Sequence, residues 1–279
     1  MTRQDPIVTS FCEHHGETNA EALILRACRE LLAECATEQG PTPLRVLGSF
    51  RGVRDCRPGE IPAASGCSGL LVPTNGGYEV IVNAEEPEER QWFSFAHEIV
   101  HTFFREVCPN VSNPSGEEER LCDIGAAELT MPLERFRAEM HGTILSLALI
   151  DQLHEEFDVS FEAAGRRALA ITDEAACLFV ASLARTNDQE LKNAGEPVLR
   201  LVRWTSSQSW PDKQTYKNRP IDDDSIIAGS FASLDSRSGR GNLGVPCNSS
   251  VYDIETRSYE YQRGAVVKHR QVVALAKAS

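Results

Sequence analysis

Residues 97–101 read His-Glu-Ile-Val-His and lie inside WFSFAHEIVHTFFRE, a run with no proline and no glycine. The run predicts a buried helix from Gln91 to Glu106. Positions i and i+4 are about 40° apart around a helix, so both imidazoles leave one face. Two neutral nitrogen donors then stand at the separation a tetrahedral zinc ion uses. Glu98 is turned about 100° from His97 and can face the same space without being a donor. The bland alternative is a pair of core histidines beside a surface glutamate. With 7 His and 28 Glu in 279 residues, chance supplies only about 0.02 such patterns per chain. The expectation is therefore one zinc ion per chain, held in part by His97 and His101, with Glu98 as the general base of a peptide hydrolase.

A catalytic zinc needs a third protein donor and an open fourth position. No histidine follows at short spacing. The next stretch, GEEERLCDIGAAELTMP, predicts a helix from Gly116 to Thr130, with Glu117, Glu118 and Glu119 in a first turn where the helix dipole favours negative charge. In thermolysin-like enzymes a Glu-x-x-x-Asp pair supplies the third ligand and an outer carboxylate that orients one imidazole. That likeness implies Glu119 as ligand and Asp123 as the outer partner. Glu118 is the alternative ligand, because a helix start is uncertain by a residue. Simple solvation of the helix start by all three glutamates is the competing reading. Thermolysin-like sites also carry a Tyr, His or Arg that stabilises the oxyanion. His141, His154, Tyr252, Tyr259, Tyr261 and His269 are candidates that the sequence does not separate, so that residue stays unknown.

The order FSFAHEIVHTFF, a loop, then EERLCDIGAAELTMP resembles the ImmA/IrrE family of bacterial metallopeptidases over roughly residues 65–135, and more weakly to about 185. The commonest family pattern has Glu-Ala-Asn where this chain has Leu121-Cys122-Asp123, which moves the ligand role onto Glu119. The resemblance implies a cytoplasmic zinc endopeptidase that cuts a helix-turn-helix transcriptional repressor, relieving repression in stress responses such as DNA damage. A rival reading keeps the fold without catalysis, as a regulator that binds a repressor stoichiometrically.

Charge divides the chain. Residues 1–191 hold 15 Arg, no Lys and 32 acids, a net −17, whereas residues 192–279 hold 13 basic residues and 9 acids, a net +4. An acidic body argues against coating of DNA or an anionic membrane, and it would attract a basic substrate. Cleavage is then expected to weaken with salt. No apolar run approaches the roughly 18–20 residues that span a bilayer. Nine cysteines, none in a Cys-x-x-Cys pair, read as reduced thiols in a cytosol.

The expected fold class is α+β. Residues 1–140 form a zincin-like metallopeptidase domain of small sheet and active-site helices. Residues 141–187 form a helical extension that resembles a helix-turn-helix, and residues 192–279 a small β-rich accessory domain. Within the first, Ala20–Ala36 predicts a helix, Arg45–Phe50 a short strand, and Gly69–Asn83 a β-hairpin about an Asn-Gly-Gly turn. A peptide could add as a strand beside GLLVP or YEVIVN. Residues 144–170 predict helix, turn and helix; the acids flanking Arg166 and Arg167 favour packing over phosphate contact. A DNA-binding module of this segment plus the basic tail is the second rival. Asp188–Pro197 is the expected linker. LRLVRW, SIIAGSFASL and AVVKHRQVVALAK read as β-rich, and 235–249 as loop. Cys12-Glu13-His14-His15 reads as an amino-terminal loop, Cys108 and Cys122 as packed thiols, and Asp222–Asp224 as an exposed loop.

Overall fold

The computed structural model describes residues 5–36, 43–62, 65–109, 114–186, 195–211, 216–245, 250–263 and 267–278, without the side chains of 261–269. Two compact units divide it, Met1–Ala138 with Phe157–Ser160, and Glu139–Glu156 with Phe161–Ser279.

The first unit begins with α1 (Pro6–His15). Asp5 caps it by accepting from the Ile7 and Val8 amides, and Pro6 sits at a position where a missing N–H does no harm. Cys12–His15 thus belongs to a helix, not to the expected loop; the cap and the buried Phe11, which packs on Phe104 with centroids 4.7 Å apart, explain why. Helix α2 (Ala20–Glu34) follows, capped by Asn19. Residues 37–42, which follow it, lie outside the described residues.

Leu44–Phe50 forms helix α3, not the expected strand. Pro43 presets the entry, and Leu47 with Gly48 makes one buried edge. The strand instead is β1 (Val53–Gly59), whose Arg- and Pro-rich sequence hides it. It pairs in parallel with β3 (Gly77–Asn83). The hairpin of β2 (Gly69–Thr74) and β3 forms as expected around Asn75-Gly76, with Leu71 opposite Val80.

The sheet order β1-β3-β2 leaves β2 at an edge. The Asn83 amide donates to the Ser68 carbonyl. In this register the even-numbered residues of β2 therefore bond to β3, while the backbone groups of Gly69, Leu71 and Pro73 point to the free edge.

Helix α4 (Glu88–Val107) starts three residues before the expected Gln91, behind Pro87, and α5 (Gly116–Thr130) starts behind the Ser115 cap. The two pack together over a core that includes Phe95, Ile99, Val100, Leu121 and Ala126. Their approach depends on Gly125. A Cβ there would lie 2.7 and 2.8 Å from the two Val100 methyls.

Helix α6 (Leu133–Met140) follows, then α7 (Leu147–Phe157) and α8 (Phe161–Ile171), joined through Asp158 at φ 50°.

In the second unit a six-stranded antiparallel sheet has the order β6-β5-β4-β9-β8-β7. Its strands are β4 (Ala176–Ala184), β5 (Val198–Ser206), β6 (Arg219–Pro220), β7 (Arg237–Gly241), β8 (Tyr252–Arg263) and β9 (Val267–Lys277). Its core holds Phe179, Leu201, Trp210, Tyr216, Ile227 and Val272.

Helix α8 lays Ala164, Gly165, Ala168 and Leu169 inward and packs on β4 and β5, while its Glu162 pairs with Arg166 and Arg203. The compact units divide at Ala138, not near residue 192, because β4 is an interior strand of this sheet. Most of the expected linker, 187–194, lies outside the described residues.

SIIAGSFASL forms helix α9 (Ile226–Ser233), not a strand: Ser225 accepts from the Ala228 amide, and Ile227, Ala228 and Ser230 turn inward. The expected loop at 235 contains β7, paired with β8. Asp222–Asp224 stay exposed ahead of α9. Among the described residues, no helix is long and apolar enough to cross a membrane.

Candidate metal centre

One stripe of α4 and the first turns of α5 build the site. His97 and His101 project from α4 with ring centroids 4.9 Å apart. Their Nε2 atoms turn to the same Glu119 carboxylate, His97 Nε2 to Oε2 at 3.0 Å and His101 Nε2 to Oε1 at 3.5 Å. Each Nδ1 has a different carboxylate. His97 Nδ1 meets Asp123 Oδ1 at 3.0 Å, and His101 Nδ1 meets Glu118 Oε1 at 2.8 Å. Glu118 also accepts from Arg105 Nη2 at 2.9 Å. The helix start makes this possible: the Ser115 hydroxyl accepts from the Glu118 amide at 3.0 Å, which sets the register of all three glutamates.

Glu119 thus lies against both Nε2 atoms and Asp123 against the outer nitrogen of His97, while Glu118, the alternative donor, sits on the outer nitrogen of His101. Glu98 is also buried, against the edge strand. A Cβ built on Gly69 of β2 would come 2.8 Å from Glu98 Oε1.

The electrostatics follow from burial and pairing. Burial alone would lower His97, but its hydrogen bonds to Asp123 and Glu119 outweigh this and hold it up at about 10. His101 is raised in the same way, against burial, by Glu118 and Glu119. The hydrogen bonds from His101 and His97 keep Glu119 far below the usual carboxylate range. Glu98 is raised by desolvation.

The donor set fits a divalent transition-metal ion. Two imidazoles share one carboxylate, and the outer ring nitrogens are anchored, which is the arrangement that orients histidine ligands. A fourth possible donor was not expected from the sequence: the Cys122 thiol lies within 4.8 Å of a ring nitrogen of each histidine. Burial first, then Glu118, Glu119 and Glu98, push this thiol well up. Its position one turn after Glu119 was the available signal. His141, His154, Tyr252 and Tyr259 all fall in the other compact unit. There Tyr252 is buried and stacked on Trp210, and the Tyr259 hydroxyl donates to Gln271. The side chains of Tyr261 and His269 are outside the described residues.

Among solved structures, a Mycobacterium tuberculosis transcriptional regulator is similar at a TM-score of 0.55 and 13% identity, over 97% of this chain and 80% of its own. That likeness is one of fold. No curated protein sequence matches significantly. A peptidase family model described as the IrrE N-terminal-like domain matches residues 64–169, which include both helices of the site. Residues 64–169 are thus similar to the IrrE N-terminal-like domain of that peptidase family, over 106 of the 279 residues.

Proposed function

We propose that this chain is a zinc-dependent endopeptidase in which His97, His101 and Glu119 hold the metal and Glu98 moves the proton. The observation that carries the reading is the convergence of both Nε2 atoms on the Glu119 carboxylate, with both Nδ1 atoms held by other acids. Zinc bound there supplies Lewis acidity toward a peptide carbonyl and a water molecule. Glu98 takes the proton of the attacking water on its carboxylate and returns it to the leaving amine. Its burial raises its affinity for protons, the direction that helps a carboxylate take one up.

The outward N–H and C=O of Gly69 and Leu71 can hold a peptide as an added strand beside Glu98. Pro73, with no N–H to offer, limits that edge to a short segment. We propose a helix-turn-helix transcriptional repressor as the substrate. The family, the fold likeness to a transcriptional regulator and the −17 charge of residues 1–191, which favours a basic partner, support it.

One observation favours a second reading. Cys122 offers a fourth protein donor, and four protein donors characterise closed, structural zinc sites. A non-catalytic regulator that binds its repressor stoichiometrically would use such a site. Glu98→Gln separates the two. On the peptidase reading it retains one zinc per chain and loses repressor cleavage, as chelation of the wild type also does. Cleavage by Glu98→Gln at the wild-type rate would sink the proposed role of Glu98. A zinc-loaded wild type that binds its repressor without cutting it would establish the regulator.

A further inference from the structure

Helix α4 carries His97, His101 and Arg105 at i, i+4 and i+8, on the stripe that meets the first turn of α5. The Glu118 carboxylate is fully buried, and one oxygen, Oε1, takes both of its contacts, from His101 Nδ1 at 2.8 Å and from Arg105 Nη2 at 2.9 Å. The two anchors of the site therefore differ. Asp123, which holds His97, has a side chain 64% exposed, whereas Glu118, which holds His101, is 0% exposed. Water competes for the first anchor and not for the second.

The remaining atoms of the buried pair are not satisfied. Among the described residues, Arg105 Nη1 and Glu118 Oε2 are buried without a hydrogen-bond partner. A half-satisfied buried ion pair is a poor source of stability; apolar side chains of similar volume do as well or better. A second pair on α5 shows the contrast. Glu128 accepts from Arg29 Nε at 2.9 Å and from the Leu133 amide at 3.3 Å, tying α2 and the start of α6 to α5. The Arg105–Glu118 pair instead has its further contact on an imidazole of the metal centre.

The geometry points to Arg105 as a positioning residue of that centre. Its guanidinium fixes the Glu118 carboxylate, which accepts the His101 Nδ1–H and so leaves Nε2 as the donor toward the metal. Arg105 touches neither metal nor substrate. The inference rests on the reading of His97 and His101 as metal donors, and it is independent of whether the loaded site cuts peptides.

The test measures zinc affinity by competition with a chromophoric chelator, and the thermal midpoint of the metal-free protein, in the full chain. Arg105→Met leaves the buried Glu118 without its guanidinium, with His101 as its remaining contact, and should lower both. Arg105→Lys returns a cation and should recover most of both. The deciding variant is Arg105→Met/Glu118→Leu, which removes the whole pair. Its midpoint should return to near the wild-type value, while zinc affinity stays lower by roughly 10–100-fold, the usual loss for an outer partner of a ligand histidine. Arg29→Met, which takes the guanidinium away from the buried Glu128, should leave zinc affinity within about threefold of wild type.

If affinity recovers together with the midpoint in the double variant, or falls as far in Arg29→Met, the pair is structural and the inference is overturned. If Arg105→Met does not fold, the double variant alone decides. A wild type whose zinc affinity is unchanged by His97→Ala would instead overturn the metal reading itself.

Discussion

Gly69 offers the sharpest test of the role proposed for Glu98. In Gly69→Ala the new Cβ would lie 2.8 Å from Glu98 Oε1, 3.1 Å from Cγ and 3.3 Å from Cδ. All three contacts fall short of ordinary van der Waals separation, the closest by about 0.6 Å. The obstacle is a side-chain end, not backbone, and residue 69 has no positive φ, so alanine suits the strand itself. The carboxylate must therefore retreat by roughly half an ångström while β2 remains paired. A shift of 1 Å in a catalytic group costs on the order of 100-fold in rate. About half that displacement predicts a loss near tenfold in kcat, equivalent to about 1.4 kcal/mol in the barrier. The three heavy atoms nearest the new methyl all belong to Glu98 and none to a histidine, so zinc stoichiometry and affinity should match wild type. The assay is single-turnover cleavage of the repressor by zinc-loaded wild type and Gly69→Ala, with zinc content measured on the same samples. An unchanged rate at full zinc occupancy would refute the placement of Glu98 as the proton carrier. A rate lost together with zinc would show that the damage lies in the fold instead.

The metal-free protein should be stabilised by acid. His97 is held at about 10, above the ordinary imidazole value of about 6.5. Its contribution is thus complete below about pH 6.5 and lost as pH rises through about 10. Urea denaturation of chelator-treated protein at pH 6 and pH 10 checks this, with the difference reduced in His97→Gln. Leu71→Pro removes an N–H that faces the free edge of β2 and leaves the ladder to β3 intact, so KM for cleavage should rise more than kcat falls; equal KM for variant and wild type would rule out strand addition there. Gly125→Ala gains about 1 kcal/mol of helix propensity, but it drives a methyl into both branches of the buried Val100 and toward Cys28 Sγ at 3.1 Å. Overpacking of that kind costs about 1–3 kcal/mol. The net expectation is a lower thermal midpoint, and a raised midpoint would show that α4 and α5 can separate without loss.

Much of the site is legible in the chain because it is built from local periodicity. The i, i+4 spacings of His97 with His101 and of Glu119 with Asp123 each place two side chains on one helical face, whatever surrounds the helix. Long apolar or well-capped helices were legible for the same reason, α4 and α5 above all. The reading of Arg45–Phe50 and of SIIAGSFASL as strands failed because each is short, and the entering Pro43 in one and the Ser225 cap in the other outweigh β-branched content. β1 was invisible because its arginines lie on exposed positions of an edge strand, and pairing with β3 rather than its own pattern makes it a strand.

The donor types and their spacing along each helix could be read from the chain alone, since these depend only on residues one turn apart. The sequence did not determine how α4 and α5 are set against each other, and that decides each acid's role. Which of Glu118 and Glu119 meets the two Nε2 atoms, that Cys122 comes within reach, and that Arg105 is drawn to Glu118 all follow from the close packing permitted at Gly125 and the register set by Ser115. The approach of Gly69 to Glu98 likewise joins a strand and a helix about thirty residues apart. Such contacts are set by packing between elements, and a one-residue change of register, undetectable in the sequence, would exchange the acids that face the histidines.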